Sequence, residues 1–528
     1  MTALLLTGCG GSGASAAGTQ PASAVPGASV TPHLLLRAGG SSAAWSSTVA
    51  LGGGPSVASF DVKLRRGSRL SIGRGSSRSF VLSRGAGTGA TVTYRSRSST
   101  LSAPRGWLRG AWHIEWVGDR LAIDGRAFAV AAGTGSQLKL RAQHGEADLS
   151  ALIVSAAADR GALLLHRLAE LHARIPPRQF PIGADVSDTI HYGSTFWTSG
   201  FWPGALWQAA ALAPAGAMFG HWALTATIEH FGQEHGGTHD VGFEYGESSL
   251  AAWRALCAAG WSGASPQLCA RLKRSVLAAA GQLLELAASN PGAGTIPTNA
   301  TSGDTIVDSM MNIAILPWAS QVTGNPIYRR LASHQAHVVA SLLVRRNGST
   351  AQSVKFDRAT GKVLLISTHQ GLSNSSTWSR GQGWAVYGFA QAASDLHDRG
   401  LLQVALRTAD YVAAHLPAGG IPRWDYDAPT GAPVDVSAGV ITAAGLFHLA
   451  TACRVLPGVC VTPGQWDVLG RRMLAAALTR ADQQPPLGFL GSEVLNEHGR
   501  GCWCDGGELS FGLAYALEAL NLERQADG

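Results

Sequence analysis

Thr305–Asn312 reads TIVDSMMN, and the chain runs on through IAILPWA. One carboxylate, Asp308, stands inside an otherwise apolar run, with Ile306 and Val307 before it and Met310 and Met311 after it. Such a run reads as a helix entering a core. An ionisable acid where water is about to be excluded is costly unless chemistry or a partner requires it.

Working outward from that stretch, the residues after about 156 are helical in pattern. Periodicity predicts twelve helices, near 157–173, 200–213, 218–232, 246–260, 266–289, 304–321, 325–343, 380–396, 400–416, 437–453, 463–481 and 507–523. Their spacing predicts six helical hairpins that close into a toroid. Every even-numbered helix is preceded or opened by an unusual motif: WTSGFWPG, HDVGFEYGES, GDTIVDSMMN, WSRGQGW, DVSAG and CDGGELSFG. The odd-numbered helices start without one. In a ring of hairpins the even helices form the inner barrel, with all their N-termini at one rim. Helix starts present unpaired N–H groups and partial positive charge, which suits an anionic ligand.

The first part of the chain has a different period. SFVLS, ATVTYRSR, WHIEWVGD, RLAIDG, FAVAAG, QLKLRAQ and LSALIVSA are short, rich in β-formers and separated by Gly, Ser and Asp. They predict an antiparallel, jelly-roll-like β-sandwich over 30–155, ahead of an all-α toroid over 156–528. The run Trp112–Gly125, WHIEWVGDRLAIDG, resembles strand–turn–strand units of laminin-G and concanavalin-like domains, which suits a glycan-binding accessory module.

The chain has 528 residues, 46% hydrophobic and 14% charged, with a net charge of +7. Much of the basic excess lies between Lys63 and Arg109, including Arg65, Arg66, Arg69, Arg74, Arg78, Arg95 and Arg97. Such a surface fits a polyanion, whether nucleic acid, an acidic polysaccharide or anionic lipid, or is simply a solvated basic face. No aromatic-interleaved or recognition-helix pattern accompanies the arginines, so nucleic acid is not expected.

At the start, Leu6-Thr7-Gly8-Cys9 looks like a bacterial lipobox, followed by a Gly/Ser/Ala/Pro tether to about Ser29. Residues 1–29 are therefore expected to be a lipoprotein signal remnant and linker. The only expected membrane link is a lipid on Cys9, and the expected location is extracytoplasmic, at the cell surface or in the periplasm. Six further cysteines, Cys257, Cys269, Cys453, Cys460, Cys502 and Cys504, suggest up to three local disulfides, consistent with export. Cys502 and Cys504 are too close to bridge each other without strain. No cysteine pair has a matching His/Cys pair at ligand spacing, so neither metal nor cofactor is expected.

Several segments, in the same order, resemble the unsaturated glucuronyl hydrolases, glycoside hydrolase family 88. They are HDVGF (239–243), TIVDSMMN (305–312), HQG (369–371) with STWSRGQGWAVYGF (376–389), and DVSAGVI (435–441). The resemblance covers roughly 160–525 and implies an (α/α)6 barrel. It also implies a substrate: an oligosaccharide left by a polysaccharide lyase, whose non-reducing uronic acid carries a C4=C5 enol ether. Protonation at C4 puts oxocarbenium character on C5. Water adds there, and the hemiketal opens and expels the next sugar.

That reaction needs one group that gives a proton and then takes one from water. Asp308 aligns with the family's catalytic aspartate. Its apolar neighbours raise its pKa, while the nearby helix start pulls the other way. The competing reading is a capping or buried structural aspartate, for which Asp304 is better placed.

Asp240 matches the family's second important aspartate; it would stay ionised, hold sugar hydroxyls and keep Asp308 protonated by like-charge repulsion. The competing reading is a turn aspartate. His239 either donates to the substrate or packs. Arg380 and Trp384 lie four apart, on one helix face. They suit a uronate carboxylate or hydroxyls and a sugar ring. Gln370 and Trp378 match further binding positions. Trp197 and Trp202 are either a sugar platform or core.

One departure stands out: AQSV (351–354) before KFD puts Gln352 where the family commonly has a histidine. The loop NEHGRGCWCD (496–505) has no assignment. The other functions to weigh are an unsaturated rhamnogalacturonyl hydrolase, a non-catalytic acidic-glycan-binding lipoprotein, and a polysaccharide lyase on a similar toroid.

Overall fold

In a computed structural model of the chain, the described residues are strands between 28 and 156, then 160–481 and 490–527 with short breaks. These breaks fall at 186–188, 194–196, 214–216, 259–263, 493–494, 497–499 and 502–506. The expected lipobox and most of its tether, Arg65, Arg66, Arg78 and Arg95, and Cys502 and Cys504 lie outside the described residues. The chain divides into two compact units, Met1–Ile175 with Ala213–Met218, and Pro176–Leu212 with Phe219–Gly528.

The first unit holds two six-stranded antiparallel sheets. One is ordered β1 (Ala28–Arg37), β12 (Glu146–Ala156), β3 (Ser56–Leu64), β8 (Trp112–Val117), β9 (Arg120–Ile123) and β10 (Arg126–Ala129). The other is ordered β2 (Trp45–Ala50), β11 (Gln137–His144), β4 (Arg69–Arg74), β5 (Phe80–Ser83), β6 (Ala90–Tyr94) and β7 (Arg97–Leu101). The WHIEWVGDRLAIDG run forms the β8–β9 pair, with Trp116 opposite Leu121. Leu70 and Leu82 face each other across β4 and β5, and both are fully buried. Helix α1 (Arg160–Arg174) follows and packs on β12.

The second unit is the helical toroid. Its helices are α2 (Phe201–Leu212), α3 (Ala217–Glu229), α4, α5 (Pro266–Ala288), α6, α7 (Pro326–Leu342), α8 (Ser379–Leu396), α9 (Arg399–His415), α10 (Val436–Val455), α11 (Gly464–Ala481) and α12 (Ser510–Asp527). Helix α4 spans 241–258, with π-helical stretches at Gly246–Leu250 and Arg254–Ala258 on either side of Ala251–Trp253. Helix α6 has two parts, Ser309–Asn312 and Ile315–Thr323.

The even helices touch in sequence: α2 on α4, α4 on α6, α6 on α8, α8 on α10, α10 on α12, and α12 back on α2. That closes the inner ring. Outer helices α5, α7, α9 and α11 pack behind it. Helix α10, VSAGVITAAGLFHLATACRV, is long and apolar enough to cross a membrane, yet almost all of it is buried, as befits a helix surrounded by protein. Gly445 is required there, because a Cβ would come within 2.7 Å of the Tyr387 backbone on α8.

Two boundaries differ from the sequence reading. Residues 304–306 form a short strand, β15 (Asp304–Ile306), paired with β16 (Ser353–Phe356), and β16 pairs with β17 (Val363–Ser367). Asp304 is therefore no helix cap: its carboxylate accepts from Ser302 Oγ, and α6 starts after Asp308. Helix α4 begins five residues earlier than expected, so HDVGF opens the helix instead of preceding it.

Three of the inner helix starts differ from the outer ones. Outer helices are capped in the ordinary way, by Ser265 ahead of Pro266, Asn325 ahead of Pro326, and Asp398. Inner helices α4, α6 and α8 follow Asp240, Asp308 and Trp378, and none of these side chains caps its helix. Two disulfides, Cys257–Cys269 and Cys453–Cys460, pin local loops.

Candidate active site

Asp308 sits where β15 gives way to α6. The backbone is fixed from behind, because Val307 N donates to Gln352 O at 2.8 Å. The side chain is only 9% exposed, and its buried Oδ1 has no hydrogen-bond partner among the described residues. Burial, reinforced by the charge of Asp240 and opposed by Arg380, pushes its pKa up to about 7. An acid in this state holds its proton near neutrality and has a free oxygen with which to deliver it.

Asp240 ends the turn before α4. Thr238 Oγ1 donates to Asp240 Oδ2 at 2.8 Å, and His239 Nε2 lies 3.3 Å from Oδ1. This carboxylate is more exposed than that of Asp308, and both of its oxygens have a neighbour within reach. His239 is buried.

Asn312 ties the two helix starts together. Its Oδ1 accepts from Phe243 N at 2.7 Å, and its Nδ2 lies 3.5 Å from His239 Nδ1. Helices α4 and α6 approach so closely that a Cβ on Gly242 would lie 2.2 Å from the Asn312 carbonyl oxygen. Thus a glycine and an asparagine bring together two aspartates that lie far apart in sequence. The amide that closes SMMN, after two methionines, is the available sequence signal for Asn312.

Arg380, in the first turn of α8, is 4% exposed. Its Nη1 donates to Asp435 Oδ2 at 2.9 Å, and its guanidinium lies 4.5 Å from the Trp378 ring centre. Asp435 also caps α10 through Ala438 N. Sequence reasoning quoted DVSAG but gave its aspartate no role; here it orients the arginine. The buried Trp378 has an indole N–H without an acceptor among the described residues.

Gln370 and Gln352 clasp each other. Gln352 Nε2 donates to Gln370 Oε1, and Gln370 N donates to Gln352 Oε1 at 2.8 Å. Buried Asp425 holds the next turn by accepting from Leu372 N at 2.9 Å and Ser376 Oγ at 2.7 Å.

The remaining tryptophans divide. Trp384 is buried in the ring's aromatic core, 5.2 Å from Phe243 and 5.4 Å from Tyr515 between ring centres. Trp202 is buried on α2. Trp197 keeps partial exposure beside Phe201, Phe243 and Phe511. Among the described residues no group of three or more His, Cys, Asp or Glu could hold a metal ion.

Below these residues, further into the ring, lies a cavity of about 100 Å³ lined by Glu247, Glu518, Tyr387 and Tyr515, among others. Burial and the neighbouring Glu518 push Glu247 up to about 8. Its Oε1 lies 3.4 Å from Tyr515 Oη, while Glu518 accepts from Tyr387 Oη at 2.7 Å and meets His448 Nε2 at 3.1 Å.

No protein-family model matches the chain. It is 32% identical over 287 residues to the unsaturated glucuronyl hydrolase of Bacillus sp. (strain GL1), covering 52% of this chain and 72% of that one. It is 29% identical over 347 residues to the unsaturated chondroitin disaccharide hydrolase of Streptococcus pyogenes serotype M1, covering 62% and 81%. The crystal structure of the Bacillus sp. GL1 enzyme superposes with a TM-score of 0.57 at 26% identity, over 70% of this chain and 96% of that one. A heparin-specific unsaturated glucuronyl hydrolase shares the fold, with a TM-score of 0.61 at 24% identity over 70% and 96%.

Proposed function

The chain belongs to the unsaturated glucuronyl hydrolase family, and from that premise we propose that Asp308 and Asp240 run its reaction. The enzyme is a glycoside hydrolase. It releases the unsaturated uronic acid at the non-reducing end of lyase-generated oligosaccharides by hydrating the C4=C5 enol ether.

Asp308 gives its proton to C4 through its unbonded oxygen. The resulting carboxylate takes a proton from the water that adds at C5, which returns Asp308 to its starting state. The C5 hemiketal then opens and the next sugar leaves. Asp240 binds sugar hydroxyls, and its charge disfavours a second negative charge on Asp308. Arg380, oriented by Asp435, offsets negative charge at the rim and faces the uronate side of the substrate. Trp378, Gln370 and His239 line the sugar, with Trp197 at the entrance. Trp384 and Trp202 support the wall from behind. The relatives named for chondroitin disaccharides suggest a disaccharide of that class as the first substrate to try.

The observation that carries this reading is Asp308 itself: buried, protonated to about pH 7 beside Asp240, with one oxygen uncommitted. The test is ultraviolet absorbance of the enol ether during incubation with unsaturated chondroitin disaccharide. Loss of absorbance with the wild type and none with Asp308→Asn supports it. Binding without loss in the wild type would make the protein a lectin, and a rise on intact polysaccharide would make it a lyase.

The first unit is read as an accessory β-sandwich of the concanavalin or laminin-G kind that binds acidic polysaccharide. Buried Leu70 and Leu82 suit the inner face of two stacked sheets. An extracytoplasmic lipoprotein anchored through Cys9 is consistent with the two disulfides. Binding of chondroitin sulfate by residues 28–175 alone, and incorporation of labelled lipid into wild type but not into Cys9→Ser, test these two points.

A further inference from the structure

The rim opposite the catalytic aspartates carries a second cleft. It lies at the C-terminal ends of α4, α6 and α8, where the first turn of α7 also meets them, and has a volume of about 840 Å³. That is within the range of small-ligand sites, roughly 300–1,000 Å³, and large enough for two or more sugar rings.

Its wall combines aromatic faces with cations. Trp253 keeps partial exposure and is braced edge-on by Trp318, with ring centres 5.2 Å apart and planes at 73°. The Trp318 indole N–H, in the same wall, has no acceptor among the described residues. Arg254 is exposed beside Trp253, and exposed His397 closes α8 with a left-handed backbone, φ 52°. Arg329 donates to the carbonyls of Asp395 and Leu396, fixing a positive charge at that helix end. Among the described residues Asp395 is the cleft's single carboxylate, with the charges of Arg254, His448, His397 and Arg329 acting on it.

The backbone is unusual here as well. Trp253 and Arg254 lie at the junction between the two π-helical stretches of α4, and Cys257–Cys269 locks the second of these to α5. Such insertions re-aim side chains and are frequent at functional sites. A stacking face, a cationic surround and a volume of this size match an anionic sugar.

We propose that this cleft is a second binding site for acidic oligosaccharide, one that holds uronate- or sulfate-bearing chain away from the site of hydrolysis. Trp253 stacks on a sugar face, and Arg254 pairs with its acidic group. The proposal goes beyond the hydrolytic function and is tested apart from it.

Titration calorimetry of the full chain with a chondroitin sulfate hexasaccharide whose non-reducing end is saturated measures binding by this cleft together with any by the first unit, and substitutions at Trp253 and Arg254 read the cleft's share. Wild type is expected to show binding that weakens at least five-fold in Trp253→Ala and in Arg254→Gln. Hydrolysis of unsaturated chondroitin disaccharide by both variants should stay within two-fold of wild type. Arg254→Gln, an exposed change, covers the case in which Trp253→Ala disturbs packing. Unchanged hexasaccharide binding in Arg254→Gln would overturn the proposal. So would equal binding of neutral maltohexaose, or a parallel fall in disaccharide turnover.

Discussion

Asp308 and Glu247 are both buried inside one ring of helices, and both hold protons that exposed carboxyls would lose. Asp308 is pushed to about 7 and Glu247 to about 8. In each, burial comes first and a neighbouring carboxylate second. What separates them is commitment. The Glu247 group faces Tyr515 Oη, and its partner Glu518 is bonded to Tyr387 and lies beside His448. Asp308 has an oxygen with no partner among the described residues, at a helix start that it does not cap. A raised pKa marks a buried acid; a raised pKa together with an unbonded oxygen at an open rim marks an acid that can work.

Substitution at each acid tests that contrast most directly. Asp308→Asn should reduce kcat by about 10³-fold, the size of a lost general acid, with KM little changed. Steady-state hydrolysis of unsaturated disaccharide measures it, and a loss under ten-fold would remove Asp308 from the chemistry.

Asp240→Asn should cost about 10²-fold and move the pH profile. The working form of Asp308 is protonated, so wild-type activity falls as pH rises through about 7. Removing the Asp240 charge lowers the Asp308 pKa, so the alkaline limb should shift to lower pH. A limb that stayed in place would mean that the two carboxylates do not sense each other.

Gly242→Ala should destabilise the fold by about 1–3 kcal/mol, because the added methyl has no room against Asn312. Thermal unfolding and kcat should both fall, since the change pries apart the helices that carry the two aspartates.

Glu247→Gln should leave kcat within about two-fold and act on stability instead. A carboxyl whose pKa rises on folding takes up protons as the chain folds. The native state therefore loses stability as pH climbs from the ordinary carboxylate range toward about 8. The glutamine variant escapes that loss, so its Tm should exceed wild type by roughly 2 °C at pH 8 and by less at pH 5. A large loss of activity would undo the contrast.

Much of the ring was legible because each inner helix begins with an unusual motif, and the motifs recur at the spacing of helical hairpins. Asp308 stands out in sequence for a different reason: a carboxylate in an apolar run is expensive, and its cost shows there. Asp240 stands in no such run and is singled out only by the likeness of HDVGF to the family. Contacts between motifs were not legible. Nothing in WSRGQGW or DVSAG separately says that Arg380 meets Asp435, and nothing in SMMN says that Asn312 reaches Phe243. The β16–β17 hairpin was missed because VLLIS lies mostly on the surface, so alternation of inside and outside could not announce it. Trp384 shows the opposite limit. Sharing a helix face with Arg380 placed it near the sugar, but only the packing of Phe243 and Tyr515 shows that it is enclosed.

The ring closes between α12 and α2, whose partners stand about three hundred residues apart, with Asn521 Nδ2 donating to Gln208 O at 3.0 Å. Until Ser510–Asp527 docks, five inner helices enclose no chamber. A nascent chain on the ribosome therefore carries both aspartates long before it can hydrolyse anything. Turnover reports the finished circle, and any agent that loosens the final staple should silence the enzyme before the rest of the barrel melts.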